Sequence, residues 1–254
     1  MGLESVLTAW TALDESALAR PWTFRGGTMD VRNALYWTMG EAQHAVTRVT
    51  AAPHPESRRI LALAQRAFGD LRGALVGLPN DLLDKAPEPG EWSVREVLGH
   101  IVNIERRYAI QTAYAVDRTD ADPVRIAADR LPPVASGDAG GDVSTLLARL
   151  AGERAATNRR LGALPPATMT RPTVWVHFDI DVRFRLHRFA SHIAEHTIQC
   201  EKTLAVLGWR QTEARRIVRQ IWALVGELEG LGADSELATL ASVATERAAR
   251  LETS

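Results

Sequence analysis

Apolar residues in this chain recur at steps of three and four over long windows, and nowhere do they settle into the sustained alternation of a β-strand. A chain patterned in this way buries its core by packing helix on helix, so the fold class is all-α. In residues 58–78, Leu61, Ala64, Phe68, Leu71, Leu75 and Leu78 form one unbroken stripe. Such a stripe must face other helices.

The next helix announces its own start. Ser93 and Glu96 are spaced as a capping box that satisfies free backbone N–H groups, with Trp92 and Val97 placed as a hydrophobic staple. Val94, Val97, Leu98, Ile101, Ile104 and Tyr108 then line one side of a helix to about residue 116. The connection before it is short and rich in turn formers, so these two helices are expected to pack antiparallel. Residues 117–141 carry Asp, Pro and Gly throughout and hold no helical stripe; a crossover of that length suits an up-down-down-up bundle. Asp142 caps a third helix, with Val143, Leu146, Leu150, Thr157, Leu161 and Leu164. Pro165, Pro166 and Pro172 lead through VWVHFDI, a short extended segment, to Asp181, which caps a fourth helix. The expected fold is therefore a four-helix bundle with additional N-terminal and C-terminal helix pairs.

The domain boundaries follow: 1–57 as an N-terminal helical hairpin, 58–209 as the bundle, and 210–254 as a C-terminal helical pair. Residues 13–37 weakly echo 76–100, with DVRNALYW over SVREVLGH, which suggests a degenerate duplicate with Trp37 in the place of His100. Gly26 and Gly27 lack the lysine and spacing of a phosphate-binding loop and read as a turn. The RRIVRQ run near residue 215 is a solvated face.

Thirty basic residues stand against thirty-one acidic ones, so no global field draws the chain to nucleic acid or to an anionic membrane. No segment approaches the roughly 20 apolar residues of a membrane span, and the N-terminus has no signal-peptide pattern. One cysteine, Cys200, excludes an intramolecular disulfide framework. The expectation is a cytoplasmic protein with a small-molecule substrate as partner, and a homodimer is compatible with the sequence.

His192 and His196 lie four apart on one helix, so both imidazoles project from the same side. That spacing suits two ligands of one metal ion, and it equally suits a hydrogen-bonded pair. His196 interrupts the apolar stripe of Val182, Leu186, Phe189, Ile193, Cys200, Leu204 and Leu207, while His100 lies on the inner side of its own helix, between Val97 and Ile104. Inward histidines from facing helices are how bundles build metal sites. Three core histidines satisfied by hydrogen bonds are the alternative.

Two blocks, EWSVREVLGHIVNIERRY and RLHRFASHIAEHTIQ, resemble the second and fourth helices of the DinB-like family of metal-binding four-helix bundles, which includes mycothiol-dependent maleylpyruvate isomerases and bacillithiol transferases. The resemblance covers about residues 58–209 and implies that His100, His192 and His196 are a metal triad. Three neutral histidines leave coordination positions open, the pattern of a catalytic site, with zinc as the default and nickel, iron or manganese as alternatives. Cys200 lies about 12 Å along the helix axis from His192, too far for one ion to bridge both, and reads as core.

Asn103 follows His100 by one turn and Arg188 precedes His192 by one turn, so both are candidate substrate-binding residues; for Arg188 a solvated edge position is the alternative. His44, His54, His177 and His187 share no such geometry, and no catalytic acid or base is assigned. The family resemblance implies a divalent-metal-dependent enzyme that activates a low-molecular-weight thiol or a water for transfer, isomerisation or hydrolysis of a small electrophile. A non-catalytic metal- or ligand-binding helical protein is the other reading.

Overall fold

The computed structural model describes residues 2–24, 26–133 and 139–252; residues 134–138 of the crossover lie outside the described residues. The bundle consists of α4 (Glu56–Leu75), α6 (Val94–Asp117), α7 (Val143–Leu161) and α8 (Val182–Val206). Each helix start expected from the sequence carries its cap. Ser93 and Glu96 close the capping box, and Asp142 and Asp181 accept from the backbone N–H groups of Thr145 and Phe184.

Side-chain contacts fix the directions of the four helices. Arg95 at the start of α6 reaches the carbonyls just before α7, Arg106 meets Glu153, and Arg160 meets Asp117, so α6 and α7 run parallel. Ser57 at the start of α4 accepts from Leu164 beyond the end of α7, whereas Glu56 pairs with Arg183 at the start of α8. The order is up-down-down-up. One expectation changes: α4 and α6 are antiparallel but face each other across the core, each flanked by α7 and α8. The connection through α5 (Asn80–Leu83), seated by buried Leu78 and Leu83, crosses the end of the bundle. The core divides into one apolar cluster around Phe68, Leu98 and Ile193 and another around Leu61, Leu186 and Phe189.

The remaining elements are α1 (Leu3–Trp10), α2 (Glu15–Leu18), a hairpin of β1 (Pro21–Phe24) and β2 (Gly27–Asp30), α3 (Val31–Thr50), a hairpin of β3 (Pro172–Trp175) and β4 (Phe178–Asp181), α9 (Glu213–Leu231) and α10 (Asp234–Glu252). The extended segment expected before Asp181 is thus a complete hairpin, and Gly26 and Gly27 lie at the tip of an earlier one that the alternation was too short to reveal. α1, α3, α9 and α10 share one apolar cluster with Trp22, Leu35 and Trp222 at its centre. The chain's two ends therefore meet in a single core.

That second core repeats part of the bundle. Pro21, Asp30, Val31 and Arg32 stand in hairpin and helix as Pro172, Asp181, Val182 and Arg183 do, with the same strand register. The echo of residues 13–37 in the bundle therefore falls on 164–188 and not on 76–100, because Ser93 opens its helix from a loop without a hairpin. α9 likewise repeats α4, with Glu213, Arg215, Arg216, Ile217, Gly226 and Gly230 answering Glu56, Arg58, Arg59, Ile60, Gly69 and Gly73. Arg32 pairs with Glu213 at 2.6 Å as Arg183 pairs with Glu56 at 2.5 Å.

The two matching helices touch through their matching glycines. A Cβ on Gly69 would stand 2.2 Å from the Trp222 carbonyl oxygen, and one on Gly226 would stand 2.3 Å from that of Gln65. Gly73 and Gly230 meet Arg219 and Ala62 in the same reciprocal way, each at 2.6 Å. Reciprocity of this kind is the mark of a local two-fold axis.

Candidate metal centre

α6 and α8 run antiparallel at the middle of the bundle and bring His100, His192 and His196 into one cluster. His192 Nε2 lies 3.4 Å from His100 Nε2 and 3.1 Å from His196 Nε2. Imidazole nitrogens bound to one zinc at about 2.0–2.1 Å and tetrahedral angles stand roughly 3.3 Å apart, so the three rings converge at the spacing of a shared ion. Hydrogen bonding alone serves them poorly. His196 Nδ1 lies 2.8 Å from Gln199 Oε1, an acceptor, so that nitrogen carries the proton and Nε2 presents a lone pair to the cluster. His192 Nε2 then faces two ring nitrogens and, in the neutral form, has one proton at most to share.

The surroundings favour the neutral form of His192 and His100. Burial pushes the His192 imidazole down to about 3, with the neighbouring His196, His100 and Arg188 acting in the same direction. His100 is lowered by burial first and by His196 second. Neutral imidazole is the form that binds metal. The Trp92 ring lies 5.1 Å from that of His100, and the Tyr108 ring lies 5.4 Å from that of His192, so an aromatic wall stands on either side.

The other sequence candidates are placed differently. Asn103 is buried beneath the crossover, donating to the Pro133 carbonyl at 3.4 Å while its Oδ1 has no partner among the described residues. Arg188 lies over Trp175 and grips Glu195 through both terminal nitrogens, at 2.6 and 2.8 Å, so a carboxylate of the same helix already engages it. Cys200 lies wholly in the core, and burial pushes its thiol up to about 12. His44 contacts Arg48, His54 contacts the Val49 carbonyl, His177 stacks on Phe178 at the hairpin tip, and His187 is exposed. In the repeated half, Glu41 and Ala45 stand where the bundle has His192 and His196, and Glu41 is paired with Arg247.

Three features escaped the sequence. Gln199 orients His196 from one turn away, a signal present in the H-x-x-Q spacing. Tyr108 counted only as a core residue, although it edges His192. Arg154, fully buried, meets Glu105 at 2.8 Å and also binds Gln65, Asn158 and the Leu61 carbonyl, with Thr157 on the same carboxylate. This polar knot ties α4, α6 and α7 together below the histidines.

Comparison with known proteins agrees with the geometry. The sequence model of the DinB superfamily matches residues 63–200. Among solved structures, YfiT from Bacillus subtilis, described as a probable metal-dependent hydrolase with an unusual four-helix bundle topology, is similar with a TM-score of 0.51 at 16% identity, over 63% of this chain and 91% of that one. No curated protein matches in sequence.

Proposed function

The chain belongs to the DinB superfamily, and from that premise we propose that it is a metal-dependent enzyme whose single divalent ion is held by Nε2 of His100, His192 and His196. The observation that carries this reading is the convergence of three ring nitrogens at the spacing of one coordination sphere. Zinc is the first choice for an all-imidazole donor set, with nickel, iron and manganese as alternatives. A bound ion supplies Lewis acidity there, which lowers the pKa of a water or of a low-molecular-weight thiol.

The chain's own residues supply the rest. Gln199 fixes the ring of His196, burial keeps His192 unprotonated, and Trp92 and Tyr108 limit the approach of bulk water. Glu195, the acid closest in sequence, is held by Arg188, which keeps its carboxylate below the usual range and leaves it a poor base. A bound ion would therefore supply the activation, and the reaction proposed is attack by thiol or water on a small electrophile, as transfer, isomerisation or hydrolysis. The likeness to YfiT supports the hydrolytic version by analogy of fold.

Cobalt-substituted protein separates the two nucleophiles. A low-molecular-weight thiol that binds the ion directly produces a sulfur-to-metal charge-transfer band in the wild type and none in His192→Ala. An unchanged spectrum together with metal-dependent hydrolysis of a model ester or amide assigns water as the nucleophile. If cobalt-loaded protein shows neither, the enzymatic reading fails.

A further inference from the structure

Tyr108 has two faces. One edges His192, and the other lines a cavity of about 400 Å³ framed by α6, the start of α8, residues 125–131 of the crossover and the β3–β4 hairpin. Three arginines line that cavity, Arg107, Arg125 and Arg185, and no Asp or Glu stands among its lining residues. Arg185 is only 7% exposed. Its guanidinium donates to Gln111 Oε1 at 2.7 Å, to Thr173 Oγ1 at 3.4 Å and to the Val174 carbonyl, all neutral acceptors. Those bonds use three of its five N–H groups and leave two without a protein partner among the described residues. Arg107 and Arg125 are likewise aimed by carbonyls alone, those of Pro132 and Val176.

A buried cation without a counter-ion is costly. Elsewhere the chain avoids that cost: Arg154 has Glu105, Arg247 has Glu41 at 3.3 Å, and Arg118 lies near enough to Asp122 to lower that acid's pKa. At Arg185 desolvation pushes the guanidinium down to about 10, with nearby Arg125 acting the same way, and it remains charged at neutral pH. A forked donor left with free N–H groups at the wall of this cavity, beside two further cations, matches the planar acceptor of a carboxylate or the oxygens of a phosphate.

We propose that the cavity framed by Arg107, Arg125 and Arg185 is an anion subsite that holds a carboxylate or phosphate of the small molecule acted on at the histidine cluster. Arg185 precedes His192 by seven residues on α8, two turns on the same side, which sets the anionic group about 10 Å from the reacting centre. The substrate is thus an elongated small molecule, anionic at one end and electrophilic or nucleophilic at the other, and Tyr108 packs along its middle. This inference rests on the proposed function for what happens at the far end, but the binding of the anion itself does not require the metal.

The test is calorimetric titration of chelator-treated full-length protein with succinate and, separately, with inorganic phosphate, at constant ionic strength. Each is expected to bind one site, and the tighter of the two identifies the natural group. Arg185→Gln is expected to weaken binding at least tenfold, as loss of a charge-assisted hydrogen bond does. Arg185→Lys should weaken it less, and Arg216→Gln, on an exposed face of α9, should leave it unchanged. Should Arg185→Gln fail to fold, the exposed Arg125→Gln decides in its place by the same criterion. Unaltered affinity in the arginine variants overturns the subsite. So does binding that appears only in metal-loaded protein and vanishes in His192→Ala, because the anion then sits on the ion. Arginine-dependent binding by a protein that takes up no metal retains the subsite and removes the metal reading.

Discussion

At His192, burial and neighbouring positive charge act together, and the result is a stability that depends on pH. The folded imidazole titrates at about 3, whereas an unfolded histidine titrates near 6.5. Between those values the unfolded chain binds the extra proton, so the contribution is complete above about 6.5 and is lost as pH falls toward 3. His100, lowered for the same reason, adds in the same direction. Metal-free protein is therefore expected to lose about 2 kcal/mol of unfolding free energy between pH 6.5 and 5. Denaturant titrations at the two pH values measure this, and His192→Gln should flatten the difference; parallel behaviour of the two proteins contradicts the assignment. The buried Arg154 and Glu105 pair has a different consequence. Glu105→Ala leaves an uncompensated cation in the core and is expected to cost about 3–5 kcal/mol, whereas replacing both partners with apolar residues should cost less. The histidines were legible in the sequence because two of them one helical turn apart, at an apolar stripe, leave a periodic mark. Arg154 was not, since an arginine inside a stripe reads as an interruption until its partner on another helix is seen.

Among the elements, the contact of α4 with α9 depends on residues that have no side chain. Gly69→Ala or Gly226→Ala drives a Cβ into a facing backbone and is expected to destabilise by about 1–3 kcal/mol, measurable by thermal unfolding. Gly152→Ala, in the exposed middle of α7 with nothing near it, should instead stabilise by roughly 0.5–1 kcal/mol. The β3–β4 hairpin turns at Val176, whose φ of 56° is the left-handed region that a β-branched residue avoids. Val176 is exposed, its carbonyl accepts from Arg125, and the strained tip stands at the wall of the cavity. Val176→Asn should raise the unfolding free energy by up to about 1 kcal/mol; no gain would mean the neighbouring strands already relieve the strain. Helix starts were readable because Ser93, Asp142 and Asp181 are chemically specific caps. The strands of the first hairpin were not, because so short an alternation is indistinguishable from loop, whereas the β-branched and aromatic run before Asp181 marked the second as extended.

The whole molecule is a complete bundle flanked by a partial repeat of itself, joined where α9 lies on α4. The up-down-down-up order was visible in the length of the crossover, but the two-fold relation was not. Its matching parts are split between the two ends of the chain, and few residues coincide beyond caps, glycines and ion pairs. The repeat keeps the architecture and lacks the ligands, with Glu41 and Ala45 in place of two histidines. On the proposed assignment the chain is therefore expected to hold one ion and not two. Metal analysis of purified protein, reconstituted with zinc, nickel, manganese or iron and freed of excess, tests this most directly. The account predicts one equivalent per chain in the wild type and in His44→Ala and His187→Ala, and close to none in His100→Ala, His192→Ala or His196→Ala. A wild type that retains no metal, or a His192→Ala protein that retains a full equivalent, would contradict it.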